Sequence, residues 1–420
     1  MRADLYCESI SQSISEQEAI PLKTFMNNPS ARAIFARRSL FCLLAVSTAF
    51  FMLWLMHEAL SPQVPTIVYV TLMISLGVTL PWMVGGFWNA LIGLLLYQLS
   101  TEPTVAVLPR EMDISDTEPL TSSTAILLCI RNETPERIER NLETMLQGLA
   151  QPGIGEHFHL YVLSDTNDPV IAVQEQSCFE AMHQRWSSRI AITYRCRTDN
   201  IGYKAGNIED FCKRWGSQHD FALTLDVDSF MTSGSILRLV RMMQANPHLG
   251  ILQGLVIGLP STSAFTRLFQ YGMRLGMRSY TMGSASWQYD CGPYWGHNAV
   301  LRLAPFIEHC EMPTLTSRDG STRHILSHDL VEAVLMRRAG FEVRVFPQED
   351  ESWEENPPTL TEYIRRDLRW CEGNLQYIHL LTMPGLNLMS RYQLAFAIFM
   401  FLGSPAWITM LVLGTLTLSL

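Results

Sequence analysis

Asp226 and Asp228 close the run FALTLDVDSFM (residues 221–231), two acids with one residue between them at the end of an apolar stretch. A strand turns residues i and i+2 to one side, so both carboxylates are expected to point the same way where the strand meets solvent. Like charges held that close repel unless something positive sits with them. Carboxylate oxygens suit a hard divalent cation, Mg²⁺ or Mn²⁺. Mg²⁺ commonly takes one or two protein carboxylates and fills its shell with substrate phosphates, which points to a diphosphate-bearing substrate. Two acids that merely end a strand in water would give the same letters, so the motif needs company.

Other stretches supply it. Asp165 ends HLYVLSD, where it could accept hydrogen bonds from a base or a ribose. IGYKAGNI offers Lys204 as a point charge for phosphate, with Gly202 and Gly206 allowing close backbone approach. ILSHDLVEAVLMRRAG sets Asp329 where a helix begins, with Val331, Val334 and Leu335 as its buried face; an N-cap would also place an Asp there. YIRRDLRWCEGN gathers Arg365, Arg366 and Arg369 beside Trp370 and Cys371. Arginine suits a bidentate grip on a diphosphate, and tryptophan offers a flat face to a sugar ring. A solvated basic face with one packed tryptophan is the plainer alternative. The chain has no G-x-x-x-x-G-K-[ST] loop and no G-x-G-x-x-G fingerprint, so a nucleotide must be held in another way.

These residues need strands to carry them. TAILLCI, HLYVLSD, IAITYRCR and FALTLDVD read as four buried strands with helical periodicity between them. TPERIERNLETMLQGLA is one such helix, with Thr134 as N-cap and Pro135 at its first position. Strand–helix alternation predicts an α/β, doubly wound, mostly parallel sheet. Ligands of such sheets bind at the carboxyl ends of the strands, where Asp165, Asp226 and Asp228 all fall.

The 420 residues are 48% hydrophobic, which excludes a disordered chain, and nine scattered cysteines without a C-x-x-C spacing read as reduced core thiols. The net charge of −9 is spread without a basic patch, so no nucleic-acid partner is expected. Charge is absent altogether from Ser39 to His57, from Ala59 to Thr101 and from Tyr392 to Leu420. Each run is about as long as a bilayer span, ~20 residues, or longer, and Pro81 is expected to kink the second. Arg32, Arg37 and Arg38 precede the first run and only Glu58 lies between the first two, which places the amino terminus in the cytoplasm. The expected organisation is a cytosolic segment at 1–38 (polar and mobile to about residue 30), two transmembrane helices within 39–101, a cytosolic domain at 102–391 and a third transmembrane helix at 392–420. FTRLFQYGMRLGMRSYTM, with Arg267, Arg274 and Arg278 among apolar residues, is expected to lie as a helix against the inner leaflet.

The order of these features resembles the membrane-embedded, processive, inverting glycosyltransferases that include cellulose, chitin and hyaluronan synthases. Two departures stand out: S-H-D replaces T-E-D at Asp329, and Arg366 stands where a glutamine of Q-x-x-R-W is expected. YVLSDTNDP, CGPYWGHNAVLR, FIEHC, ILSHDLVEAVLMRRAG and RRDLRWCEGNLQ together resemble the glucosyltransferases that build osmoregulated periplasmic glucans, over roughly residues 25 to 420. The resemblance implies a GT-A-type domain inserted between transmembrane helices of a Gram-negative inner membrane. It implies UDP-glucose as donor, Mg²⁺ or Mn²⁺, and a growing, mainly β-1,2-linked glucan as acceptor. Carried over by position, Asp329 is the general base, Asp165 meets the uridine and Lys204 the nucleotide or its phosphates. Asp226 and Asp228 serve UDP and the metal, Asp228 more directly. Arg369 steadies the diphosphate, Trp370 the acceptor glucose, and His297 and Asn298 line the acceptor pocket. Relatives also suggest acyl carrier protein and a periplasmic glucan-processing protein as partners.

Such relatives continue with several more spans that make a glucan channel, whereas this sequence stops at Leu420. Two function classes therefore stand side by side. One is an active transferase, through oligomerisation or as part of a longer protein. The other is a truncated chain that binds UDP-sugar or partners without completing synthesis and export. A transporter with a regulatory nucleotide-binding domain is disfavoured, because the spans lack the charged residues of substrate paths.

Overall fold

A computed structural model describes residues 31–60, 64–108, 114–316 and 319–417; the polar stretch at 1–30 lies outside them. The chain opens with α1 (Ala31–Leu60) and α2 (Thr66–Leu99), whose mean hydropathies reach 2.1 and 1.9. At ~1.5 Å per residue both exceed the ~30 Å hydrocarbon core of a bilayer. α1 begins ahead of the charge-free run and takes Arg32, Arg37 and Arg38 into the helix, since arginine is a good helix former. Pro81 sits inside α2.

Alternation then sets in: β1 (Thr124–Ile130), α3 (Pro135–Leu149), β2 (Phe158–Ser164), α4 (Pro169–Trp186), β3 (Ala191–Cys196), α5 (Tyr203–Trp215) and β4 (Phe221–Asp226). Beyond them come β5 (Ser229–Met231), α6 (Ser233–Ala245), β6 (Leu249–Gly258), α7 (Ala264–Gln288), β7 (Ala299–Arg302) and α8 (Leu303–His309). A separate antiparallel pair, β8 (Thr314–Thr316) and β9 (Thr322–His324), precedes α9 (Asp329–Arg338), β10 (Glu342–Glu354), α10 (Leu360–Leu375) and the apolar α11 (Leu388–Thr417).

The main sheet has eight strands in the order β3-β2-β1-β4-β7-β6-β10-β5. β3, β2, β1 and β4 run parallel, as do β6 and β10, while β7 is antiparallel to both neighbours and β5 to β10. The sheet is therefore mostly parallel, as expected, with β7 inserted antiparallel and β5 antiparallel at the edge.

Period-two alternation decides which face receives the chemistry. Ile126, Leu128, Phe158, Leu160, Leu223 and Leu225 enter one core layer. Ala125, Leu127, Tyr161, Leu163 and Ala222 enter the other, against Ile208 and Phe211 of α5 and Val331, Val334 and Leu335 of α9. Asp226 shares the parity of Ala222 and so emerges on the face where α5 and α9 begin. Asp228 departs from the sequence expectation: β4 ends at Asp226, and Val227–Asp228 form a turn into β5. The two acids are thus neighbours across a turn, not two side chains of one strand.

Close helix packing joins the apolar helices to the domain. A side chain added at Gly93 of α2 would run into the Ser279 carbonyl and Gly283 of α7, so small residues let the two backbones approach. The Trp287 indole donates to Asn89 Oδ1 at 2.8 Å and stacks on Phe41 at 3.8 Å. Arg38 reaches the Gln288 carbonyl and Asp290, and Gln393 of α11 donates to the Cys291 carbonyl at 2.6 Å. α7 divides in two: Thr281–Trp287 is buried, whereas Leu268, Tyr271 and Leu275 on its first half are 73%, 65% and 69% exposed.

Away from the site, His159 of β2 stacks on Tyr161 and meets Thr193 Oγ1 at 2.8 Å. Burial, then the neighbouring His219, pushes its imidazole down from 6.5 to about 4. The folded state keeps this ring neutral while the unfolded chain takes up a proton, so its stabilising contribution is complete above pH 6.5 and lost as pH falls towards about 4. The thermal midpoint is expected to drop across that interval, and less steeply in His159→Gln; an identical slope in the variant would exclude His159 as the cause.

Candidate active site

Four strand ends and two helix starts converge on one region. β4 delivers Asp226, and the turn after it delivers Asp228. α5 begins after Gly202, whose φ of +73° and near contact with Gly206 favour glycine there. That start presents Lys204, whose ammonium bonds the Asp226 carboxylate and the Gly296 carbonyl, the latter at 2.8 Å. Burial alone would lower the Lys204 pKa, but Asp226 outweighs it and the group is held above its ordinary value. Burial likewise opposes ionisation of Asp226, and Lys204 with His297 overcomes it, so this carboxylate lies below the ordinary range. Asp228 is the reverse case: burial and the adjacent Asp226 push it up to about 6.

Asp228 has no ion pair among the described residues. A partly buried carboxylate beside a second one, with one Asp226 oxygen already on Lys204, fits a hard dication. Among the described residues no group of three or more His, Cys, Asp or Glu side chains stands ready as a cage. Asp226 and Asp228 are the residues that could hold a divalent cation completed by water and substrate phosphates.

Asp165 follows β2 directly and is only 7% exposed. Arg197 grips it bidentately, Nε to Oδ1 at 2.6 Å and Nη2 to Oδ2 at 2.8 Å, and also holds the carbonyls of Ile201 and Tyr203. The sequence reading missed Arg197, although it stands one residue past β3, where strand-end logic already pointed.

Asp329 is the first residue of α9, half-buried, and lines a cavity of about 410 Å³ with His297, Glu354, Trp295 and Trp370. The cavity continues to Trp82 of α2 and to Phe396 and Met400 of α11. Behind Asp329, His328 Nδ1 lies 3.0 Å from Glu332 Oε2, both side chains buried. Burial would depress the imidazole pKa, but Glu332 raises it further than burial lowers it. Gly296, at φ +82°, separates the two halves of the site: a Cβ there would lie 3.3 Å from Asp329 Cβ and 3.6 Å from the His328 ring.

The remaining expected residues divide. Trp370 is 43% exposed and lines the cavity, with the Arg366 guanidinium 4.6 Å over its ring. His297 lines it too, held near Ser229 and Asn298 at 3.2 Å each. Asn298 does not reach the cavity: it is fully buried, and its amide donates to Ser352 Oγ at 2.8 Å and the Trp353 carbonyl at 3.2 Å. Arg369 is exposed, outside the cavity wall, and has no ion pair among the described residues. Glu354, at the end of an acidic run the sequence reading left unused, joins the wall only through the fold.

Residues 221–420 match the family described as glycosyl transferase family group 2. The mostly parallel sheet that carries this match has a GT-A-like fold. At the level of particular proteins, the chain is similar to glucans biosynthesis glucosyltransferase H of Vibrio cholerae, 39% identical over 299 residues, 71% of this chain and 42% of that protein. The protein of the same name from Pectobacterium carotovorum is 36% identical over 364 residues, 85% of this chain and again 42% of the relative. The chain thus spans less than half the length of these relatives. A solved mannosyltransferase from Pyrobaculum calidifontis, in complex with GDP-Man and Mn²⁺, superposes with a TM-score of 0.49 at 14% identity, covering 79% of this chain and 87% of that one.

Removing one partner of a buried ion pair strands the other charge, which typically costs about 3–5 kcal/mol. Arg197→Ala is therefore expected to destabilise the domain by that order in denaturant unfolding. Asp165→Asn combined with it should recover part of the loss. No recovery in the double variant would mean that Arg197 acts through its backbone contacts instead.

Proposed function

We propose that this chain is the catalytic part of an inverting, membrane-embedded glucosyltransferase. It uses UDP-glucose and Mg²⁺ to extend the β-linked glucan backbone of osmoregulated periplasmic glucans. One observation supports this most. The Lys204–Asp226 pair holds the Gly296 carbonyl, Gly296 packs against Asp329, and Asp329 lines a cavity whose wall also includes Trp82 of α2 and Phe396 of α11. Donor chemistry on one side, a base on the other and a path towards the spans are what polymer extension requires.

In this reading Asp165 and its Arg197 clamp receive the uridine, while Lys204 and Arg369 balance charge on the diphosphate. Asp228, with Asp226, would hold Mg²⁺, which when bound neutralises charge growing on the leaving group. Asp329 takes the proton of the acceptor hydroxyl as that oxygen attacks the anomeric carbon opposite UDP, which inverts the centre without a covalent intermediate. Trp370 and His297 flank the acceptor sugar. The domain faces the cytoplasm of a Gram-negative cell and the apolar helices lie in its inner membrane. The exposed row Leu268, Tyr271 and Leu275 rests against the inner leaflet. Acyl carrier protein and a periplasmic glucan-processing protein are partners by family resemblance alone.

UDP release from UDP-glucose by detergent-solubilised protein with Mg²⁺ tests the assignment. General-base help is worth about 10²- to 10⁴-fold, so Asp329→Asn is expected to lose that much turnover while binding UDP-glucose as before, and chelator should abolish release. Loss of UDP-glucose binding in a folded Asp329→Asn protein would overturn the role of Asp329. A spin label at residue 271 in bilayers is expected to report lipid contact; full exposure to aqueous quencher would remove the interfacial role of α7.

A further inference from the structure

Glu354 is a second carboxylate in the wall that holds Asp329. It closes β10, and that strand is irregular before it arrives. Register shifts interrupt the β10–β6 ladder between Phe346 and Glu349 and again between Glu349 and Trp353, and Glu351 has φ +51°. Bulges re-aim side chains, and strained backbone gathers at functional sites. After the irregular stretch, Trp353 and Glu354 pair with Phe230 and Ser229 of β5, and the Glu355 N–H donates to the Asp228 carbonyl at 2.9 Å. Glu354 is thereby tied to the same turn that carries the acid pair.

Its carboxylate is steadied rather than saturated. Glu354 Oε2 lies 3.5 Å from His297 Nε2, and Oε1 accepts from Asn356 Nδ2 at 3.1 Å. An ionised carboxylate has about four acceptor positions, so capacity remains for hydroxyl donors in the cavity. A sugar ring carries several hydroxyls of similar acidity, and a single base deprotonates whichever one faces it. The flat faces of Trp295 and Trp370 in the wall can fix the plane of a ring but do not select its rotation. A second, directional acceptor can, because a site built to bond a particular hydroxyl discriminates strongly against a ring that misplaces it.

We propose that Glu354, held by His297 and Asn356, accepts a hydrogen bond from an acceptor-sugar hydroxyl next to the attacking one, and so sets which hydroxyl Asp329 deprotonates. This rests on reading the cavity as the acceptor site. Glu354 is then a linkage-determining residue of the reaction, and its ligand class is a β-linked glucose oligosaccharide.

The test uses the detergent-solubilised full chain and β-1,2-, β-1,3- and β-1,4-linked glucose disaccharides, read by tryptophan fluorescence, since Trp82, Trp295 and Trp370 border the cavity. Turnover of UDP-glucose with each disaccharide is measured in parallel. The wild-type chain is expected to prefer one linkage. Glu354→Gln should raise the Kd and acceptor KM for it by about tenfold or more and flatten the preference, with the KM for UDP-glucose within about twofold; Glu354→Asp should restore part of the preference. Unchanged acceptor Kd and preference would overturn the proposal, as would an equal loss of UDP-glucose affinity, which would put Glu354 on the donor side. Failure of every disaccharide to bind the wild-type chain would refute the acceptor site itself, and Glu354's role with it. Binding without any UDP release would instead refute the transferase reading, leaving Glu354 judged by the Kd values alone.

Discussion

Two carboxylates at the end of β4 cannot share a partly buried turn without a counter-charge, and Lys204 provides one. Its bond to Asp226 and to the Gly296 carbonyl ties the start of α5, the end of β4 and the loop entering β7 into one unit. Gly296 in turn sets how closely Asp329 approaches from α9. Through this small group of contacts, segments far apart in sequence acquire a fixed geometry. Asp228 remains without an ion pair among the described residues and carries a raised pKa of about 6. The two acids thus differ: Asp226 is tied to Lys204 and the Gly296 loop, and Asp228 is not.

The apolar helices attach to the domain through specific contacts with α7. The Gly93–Gly283 approach, the Asn89–Trp287 hydrogen bond and the arginines of α1 all grip the second half of α7. The first half of the same helix runs on with an exposed apolar row. α7 thereby joins the apolar helices in the cavity wall, where Met273 and Met277 line the same space as Trp82 of α2 and Phe396 of α11.

Much of the site was legible because strand-end logic is local. TAILLCI and FALTLDVD fix their strands by apolar run length, and Asp165, Lys204, Asp226 and Asp329 follow at strand ends or helix starts. Asn298 misled because the letters G-H-N say nothing of direction: His297 turns to the cavity, while Asn298, at φ +51°, turns into the sheet and bonds Ser352 and Trp353. Asp228 misled because strand parity was carried one step past the residue where the ladder ends.

The sequence by itself determined the alternation of strands and helices, the three long apolar helices and the identity of the acids, because each depends on residues within one turn or one strand of each other. Only the tertiary structure decided that Arg197 clamps Asp165 and that Glu354 joins Asp329 in one cavity wall. Those pairings depend on sheet order and on the register shifts in β10. Neither has a local signature, since hydrogen-bonded ladders between distant strands are chosen by the packing of the whole core and not by the residues they bring together.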